Sequence, residues 1–233
     1  DIDLDGFGDA CDPCDNLNVF TFGNINGTVD PQGNTTIDVF DVMELVDILL
    51  NNDQSSCGSE IADLNTDGNE NVVDIIYLVQ MLLGGGSQNS LSSNPVLFEV
   101  QHSTQGKQIL LSSVSKIGGI QFRSDVSEDV IENLSVPNGW TLEYVIDGGQ
   151  TNVMLFDISG QNSLSQLELV FNNSQSISFD NIIIAGDNAE QLNVNVIDKN
   201  LEDTSQLAPE FYGLQSLYPN PFNPSLNIAF SLE

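Results

Sequence analysis

The sequence predicts a multidomain α+β protein in which a small helical module precedes an all-β sandwich. Apolar residues recur with helical spacing in two segments before residue 84. After residue 95 the chain changes to short segments rich in β-branched and aromatic residues, a pattern typical of strands. A Gly/Ser-rich stretch at 85–94 separates the two regions and predicts a flexible linker.

The two predicted helices are copies of one unit. Residues 38–51 carry an apolar stripe with i, i+3, i+4, i+7 spacing, and residues 72–83 repeat that stripe 33 positions later. The stripes consist of Val42, Leu45, Val46 and Leu49, and of Ile75, Leu78, Val79 and Leu82. An internal duplication predicts that the two copies pack together.

Residues 95–200 predict a β-sandwich or barrel, because eight short strand-like segments are separated by Gly, Asn, Asp and Ser. Trp140 is expected in its core rather than in a ligand-stacking role. Residues 201–216 predict a connector. Residues 217–233 contain one alternating strand, and its apolar members are Leu226, Ile228, Phe230 and Leu232. A lone strand would offer its backbone to another chain, unless this end is truncated or disordered.

The charge balance excludes several classes of function. The chain has 34 acidic and four basic residues, for a net charge of −30, so a nucleic acid or an anionic membrane is not an expected partner. No apolar run is long enough for a transmembrane helix. Residues 1–94 hold 17 of the acids and none of the bases, which predicts a bound cation there.

Residues 63–74 have the spacing of a calcium loop of the EF-hand type. Oxygen donors stand at loop positions 1, 3, 5, 9 and 12, Gly68 stands at the sharp turn of position 6, and position 7 offers a carbonyl. The predicted ligands are Asp63, Asn65, Asp67, Asn69, Asn71 and Asp74. The alternative is an Asp/Asn-rich turn that caps the following helix.

Residues 30–41 are interpreted as the same loop in the first copy. The predicted ligands are Asp30, Gln32, Asn34, Thr36, Asp38 and Asp41. Thr35 replaces the position-6 glycine, and Gln32 and Asn34 are neutral, so this loop is expected to bind calcium weakly or to be empty.

A third set of acids lies in residues 1–12, at the same loop positions around Gly6. The predicted ligands are Asp1, Asp3, Asp5, Phe7 (through its carbonyl), Asp9 and Asp12. This segment resembles the end of a thrombospondin type 3 calcium repeat, assigned to residues 1–16.

The duplicated loop–helix pair, assigned to residues 17–84, resembles a dockerin. That resemblance implies a pseudo-symmetric calcium module that docks onto a cohesin, itself a β-sandwich. It also implies that the residues before the last ligand of each loop contact the partner. These residues are Val39, Phe40, Val72 and Val73.

The strands of residues 95–200 resemble a cohesin-like or related immunoglobulin-like sandwich, with a generic sandwich as the alternative. The tail, assigned with its connector to residues 201–233, resembles the first strand of a bacterial C-terminal sorting or anchoring module. Cys11, Cys14 and Cys57 permit one internal disulfide, and the sequence leaves the pairing open.

These features predict a secreted, non-catalytic interaction protein of the extracellular space or bacterial cell surface, with calcium as its cofactor. His102 is the only histidine, and no nucleophile with an adjacent base and no phosphate-binding motif is found, so no enzyme is predicted. The expected partner is another copy of the chain, in a head-to-tail filament, or a cohesin- or dockerin-type protein. The alternative is a scaffold-tethering, carbohydrate-binding region of a larger secreted hydrolase.

Overall fold

The computed structural model of the 233-residue chain describes residues 14, 19–84, 91–103, 106–172, 177–200, 213–218 and 227–231. The thrombospondin-like loop at residues 1–12 lies outside this part, and so does most of the predicted linker.

Both predicted helices are confirmed. Helix α1 spans Val39–Asn51 and helix α2 spans Val72–Leu82, with a 3-10 helix at Cys57–Ile61 between them. Each α-helix begins with a capping box, formed by Asp38 and Asp41 in α1 and by the equivalent pair in α2. In the described ranges, no helix is both long and apolar enough to cross a membrane.

Seven strands and one short helix, α3 (Glu128–Glu132), form the second region. The strands are β1 Leu91–Ser103, β2 Gly106–Ser124, β3 Thr141–Asp147, β4 Gln150–Phe156, β5 Leu164–Phe171, β6 Phe179–Gly186 and β7 Gln191–Asn200. The sequence predicted two strands where β2 runs unbroken for 19 residues.

The long strand β2 belongs to both layers of a β-sandwich. Its first half pairs with β1 and β5, and its second half pairs with β4 and β6. Strand β7 extends the first layer by pairing in parallel with β1, and β3 extends the second by pairing with β4. The core between the layers contains Trp140, whose indole N–H donates to the Asn162 carbonyl at 2.9 Å. The predicted core position of this tryptophan is confirmed.

The helical module packs on the outer face of the second layer. Val153 and Leu155 of β4 face the sandwich core, whereas Met154 and Phe156 belong to a second core together with α1 and α2. Because successive side chains of a strand point to opposite faces, β4 is buried on both sides. The sequence predicted a flexible linker between the two regions and gave no sign of this contact, in which helices and sandwich share an apolar core.

A disulfide and a β-hairpin lie near the two ends of the chain. Cys14 and Cys57 form a disulfide with their Cα atoms 5.2 Å apart, which decides the pairing that the sequence left open. Near the end of the chain, β8 (Gly213–Tyr218) pairs antiparallel with β9 (Asn227–Ser231). The expectation of a lone final strand is corrected, because part of the predicted connector supplies its hydrogen-bonding partner.

Candidate calcium loops and docking face

The second loop, Asp63–Asp74, is organised around the carboxylate of its last residue. Asp74 accepts the backbone N–H of Asn65 at 3.1 Å and that of Asn71 at 2.9 Å. The first residue, Asp63, accepts the N–H of Asp67 at 3.1 Å and that of Gly68 at 2.9 Å. These bonds hold the backbone of the loop between its first and last residues.

The turn at position 6 of this loop requires its glycine. Gly68 has φ +86°, in the left-handed region where a side chain is strained. A Cβ there would meet no atom within 4 Å, so the backbone angle rather than lack of space favours glycine.

Electrostatics at Asp74 favour a nearby cation. Burial raises the pKa of Asp74 to about 7, and the negative charges of Asp63 and Asp67 add to the rise, while the two backbone N–H bonds oppose it. A divalent cation among these carboxylates would favour the ionised form.

The donor chemistry of the second loop fits calcium, which prefers six to eight hard oxygens. The predicted ligand positions within these twelve residues supply three carboxylates, two amide oxygens and the carbonyl of Asn69. Within the described ranges, however, no group of three His, Cys, Asp or Glu side chains converges on one point. Calcium binding therefore stays a prediction, in which neutral oxygens complete the ligand set.

The first loop has a different register from the one predicted. The carboxylate of Asp41 takes the place of Asp74, because it accepts the N–H of Asn26 at 3.0 Å and that of Asp38 at 2.7 Å. Asn26 therefore corresponds to Asn65 of the second loop.

The same correspondence extends toward the start of the loop. The N–H of Thr28 donates to the side chains of Asn24 at 3.1 Å and Asn26 at 2.9 Å, and the N–H of Asp67 makes the matching pair of bonds. Loop positions 1, 3 and 5 are thus Asn24, Asn26 and Thr28, six residues before the predicted positions. The positions of Thr36, Asp38 and Asp41 are unchanged.

The predicted ligands Asp30, Gln32 and Asn34 lie in an inserted hairpin. A bridge between Val29 and Thr35 closes this hairpin. The carboxylate of Asp30 accepts the N–H of Gln32 at 2.9 Å and both the N–H and the side-chain amide of Asn34, at 2.8 and 2.9 Å. These bonds, with that from the Asn34 side chain the largest cause, hold the pKa of Asp30 below its ordinary value. Asp30 therefore stabilises the turn of this hairpin.

The corrected register leaves the first loop short of negative charge. At its ligand positions the carboxylates are Asp38 and Asp41, whereas the second loop has three carboxylates at its ligand positions. The buried side chain of Asn24 also donates its amide to the carbonyls of Val19 at 2.5 Å and Thr28 at 3.0 Å. Weak calcium binding remains the expectation for this loop, but for different residues than the sequence suggested.

The predicted partner-binding residues of the second copy lie inside the protein. Val72 and Val73 are buried. The N–H of Val72 donates to the side chain of Gln121 on β2 at 3.0 Å, and a Cβ on Gly119 would lie only 2.7 Å from Val72 Cγ2. The start of α2 is therefore seated on the sandwich of its own chain.

A second contact fixes the other end of α2. The Gln80 side chain donates to the carbonyl of Asp187 at 2.7 Å, and Leu83 packs so closely that a Cβ on Gly160 would lie 2.4 Å from it. The consecutive glycines at 118 and 119, within a strand pattern, are one signal in the sequence for the close approach of α2 to the sandwich.

The predicted partner-binding residues of the first copy are exposed. Phe40 keeps 67% and Val39 keeps 46% of their surface accessible, and Met43 and Ile37 beside them are also exposed. The duplication has thus produced one buried and one exposed copy of the same surface.

Comparisons with known proteins add little beyond the fold. No protein-family model and no curated protein matches the chain. It is similar to a non-cellulosomal cohesin from the archaeon Archaeoglobus fulgidus, with 15% identity over 49% of this chain and 95% of that one, and a TM-score of 0.27. It is also similar to a chain of a type I cohesin–dockerin complex from Clostridium thermocellum, with 14% identity over 50% and 99%, and a TM-score of 0.29. Similarities this weak carry no argument about the function of this chain.

Proposed function

We propose that the protein is an extracellular, non-catalytic interaction protein whose calcium-binding helical module rests on its own β-sandwich and presents the start of α1 to a partner. The observation that carries this proposal is the asymmetry of the duplicated surface. The copy at Val72–Val73 is occupied within the chain, whereas the copy at Val39–Phe40 faces solvent. An exposed aromatic beside β-branched and Met side chains suits a protein partner.

The contact within the chain suggests what that partner is. The second copy of the surface packs on a sheet, with Val72 against Gly119 and Gln121. Since Val39 and Phe40 hold the equivalent places at the start of α1, a sheet face of another β-sandwich is the expected partner. This sandwich belongs to a second copy of the chain, in a head-to-tail assembly, or to a separate cohesin-type protein.

Calcium has a supporting role in this proposal. Asp63, Asn65, Asp67 and Asp74, with the carbonyl of Asn69, would hold the ion in the second loop. The ion would fix the loop that leads directly into the docked start of α2. The disulfide between Cys14 and Cys57 supports an oxidising, extracellular setting.

The test measures self-association by light scattering after size exclusion, with calcium and with a chelator. Replacing Phe40 by Ser should abolish assembly and leave the melting temperature nearly unchanged, because the side chain is exposed. Val114→Ser is the matched control, since Val114 is 84% exposed on the sandwich.

Two outcomes would contradict parts of the proposal. A monomer under both conditions would exclude the homopolymer and leave the separate cohesin-type partner. Assembly that Phe40→Ser and Val114→Ser weaken equally would show that the start of α1 is not the docking surface.

A further inference from the structure

A cavity of about 530 Å³ lies where the end of α1 meets the outer face of the second layer. It is separate from both loops and from the start of α1. Polar side chains dominate its lining. They include Asn52, Arg123, Asn152 and Asn181, with Leu50 and Val145 as apolar neighbours. One of these side chains, Arg123, forms no ion pair with any residue that the structure describes.

Acids outnumber bases 34 to four in this chain, so a structural arginine would find a carboxylate easily. Lys199 pairs with Glu99 at 2.8 Å, and the buried Lys107 donates to the Ile177 carbonyl. Within the part of the chain that the structure describes, Arg123 makes no ion pair, and its buried Nε has no hydrogen-bond partner. Buried donors without a partner are rare and call for an explanation.

Amide side chains are placed around this guanidinium by the sheet. Asn152 stands directly opposite Arg123 in the pairing of β2 with β4, so the two side chains share a face. Asn181 lies at a bulge of β6, where the register shifts between Gln121 and Arg123, and its φ is +49°. A bulge re-aims side chains, and here Asn181 lines the cavity.

The end of α1 supplies the opposite wall. Asn52 is the C-cap of α1 with φ +50°, and it lines the cavity together with the buried Leu50. Two asparagines in the left-handed conformation thus meet at one cavity, from two elements far apart in sequence.

The chemistry of the lining points to one class of ligand. A guanidinium pairs with a carboxylate through two parallel N–H bonds. Amide groups both donate and accept, as a row of hydroxyl groups requires. Leu50 and Val145 offer apolar area to the carbon face of a ring. We propose that this cavity binds an acidic saccharide, with the carboxylate of a uronic acid unit on Arg123 and its hydroxyl groups on the surrounding amides.

The strongly negative chain does not prevent such binding. Asp147 lines the cavity, and Asp180 stands opposite Arg123 in the pairing of β2 with β6, so the guanidinium contact must outweigh two negative charges. At physiological ionic strength, charges more than about 8 Å away are largely screened, and the direct contact decides the affinity.

The test is calorimetric titration of the full chain with α-1,4-digalacturonate and with its neutral counterpart, α-1,4-galactobiose, at fixed calcium and 0.15 M salt. The acidic disaccharide should bind about tenfold more tightly than the neutral one, in keeping with a charge-assisted contact. Acetate at the same concentrations should bind detectably less well than digalacturonate, which separates a saccharide site from a simple carboxylate site.

Variants locate the site. Arg123→Gln should weaken digalacturonate binding about tenfold. Arg123→Lys should weaken it less, because lysine keeps the positive charge but cannot donate two parallel N–H bonds to the carboxylate. Asn181→Gly keeps the left-handed backbone and removes the amide, and it should weaken binding about threefold. Lys116→Gln is the matched control, since it removes an equal charge from an exposed position of the same strand.

Several results would overturn the proposal. One is no binding of digalacturonate by the wild-type protein at millimolar concentration. Another is equal binding of the neutral disaccharide, and a third is equal weakening by Lys116→Gln and Arg123→Gln. Tight acetate binding at Arg123 would likewise replace the saccharide site by a simple anion site. A circular dichroism spectrum and urea midpoint for each variant show whether the fold is kept.

Discussion

Gly119 should be the position at which the docking of α2 on the sandwich is most easily disturbed. A Cβ at this site would lie 2.7 Å from Val72 Cγ2 and 3.3 Å from Ile76 Cγ1. Carbon atoms pack best at about 3.5–4.0 Å, so Gly119→Ala must push α2 away by about 1 Å. Strand β2 cannot retreat, because β4 and β6 pair with it on both sides at this residue.

The size of the effect follows from two opposing terms. Overpacking a well-filled core costs about 1–3 kcal/mol. Replacing glycine by alanine returns about 0.4–1 kcal/mol, because the unfolded chain loses freedom. We therefore expect Gly119→Ala to lower the free energy of unfolding by about 1–2 kcal/mol. With a urea slope of about 2 kcal/mol/M, the midpoint should fall by about 0.5–1 M.

A double-mutant cycle with Val72→Ala tests the geometry directly. Val72→Ala alone should cost about 2 kcal/mol, because it removes two buried carbon atoms and leaves a cavity. In the double variant the new methyl group of residue 119 occupies that cavity, so the two costs should not add. We expect a coupling of about 1–2 kcal/mol in the favourable direction.

The assay uses two probes that report different regions. Trp140 is the only tryptophan and lies in the sandwich core, so its fluorescence follows unfolding of the sandwich. Circular dichroism at 222 nm follows α1 and α2. Gly118→Ala is the control, because a Cβ there would meet Gly186 and Asp187 rather than α2. An additive cycle at Gly119, or Gly119→Ala as stable as the wild type, would refute the described interface.

Three further predictions concern the loops, the disulfide and an ion pair. Asp63→Asn should weaken calcium binding at least about tenfold, whereas Asp30→Asn should change it less than about twofold, because Asp30 stabilises a hairpin. Calorimetric titration with calcium measures both affinities, and equal losses would support the register first predicted for the first loop. Cys57→Ser should cost about 3–4 kcal/mol in urea unfolding, since the disulfide closes a loop with a sequence separation of 43, and Cys11→Ser should cost little; equal costs would contradict the pairing of Cys14 with Cys57. The hydrogen bond from Lys199 holds the pKa of Glu99 below its ordinary value of 4.5, so the pair stabilises the fold above that pH and loses its effect as the pH falls through the lowered pKa; Lys199→Met should flatten the fall in urea midpoint below pH 4.5, and an unchanged slope would show that the pair contributes nothing.

Local patterns predicted the elements well. Helical spacing located both helices to within a residue or two, and capping residues at Asp38 and Asn71 mark where they begin. The turn of the second loop was predictable because the glycine at its position 6 is a local signal, and calcium binding by this loop stays a prediction. The sandwich was predictable from short strand-like segments alone.

Non-local features were missed because no single segment encodes them. The first loop contains a six-residue hairpin insertion, and Asp30 imitates a ligand position at the right distance from Asp41. The hydrogen bond from Asn26 to the distant Asp41, together with that from Thr28 to Asn24, reveals the register of the loop. The docking of α2 was missed for a similar reason, although β4 held a hint: Val153–Phe156 is an uninterrupted apolar run, which indicates a strand buried on both faces.

The two copies of the duplicated unit are not interchangeable, because they differ in sequence and in burial. Val72 and Val73 are compact, and the glycine at 119 leaves just enough space for the first of them. In α1 the equivalent pair is Val39 and Phe40, so the copies share the valine that corresponds to Val72 and differ at the next position. Phe40 is 67% exposed, whereas its counterpart Val73 is buried. The copy at the start of α2 therefore belongs to the fold, and the exposed copy at the start of α1 is the one available to the partner that we propose.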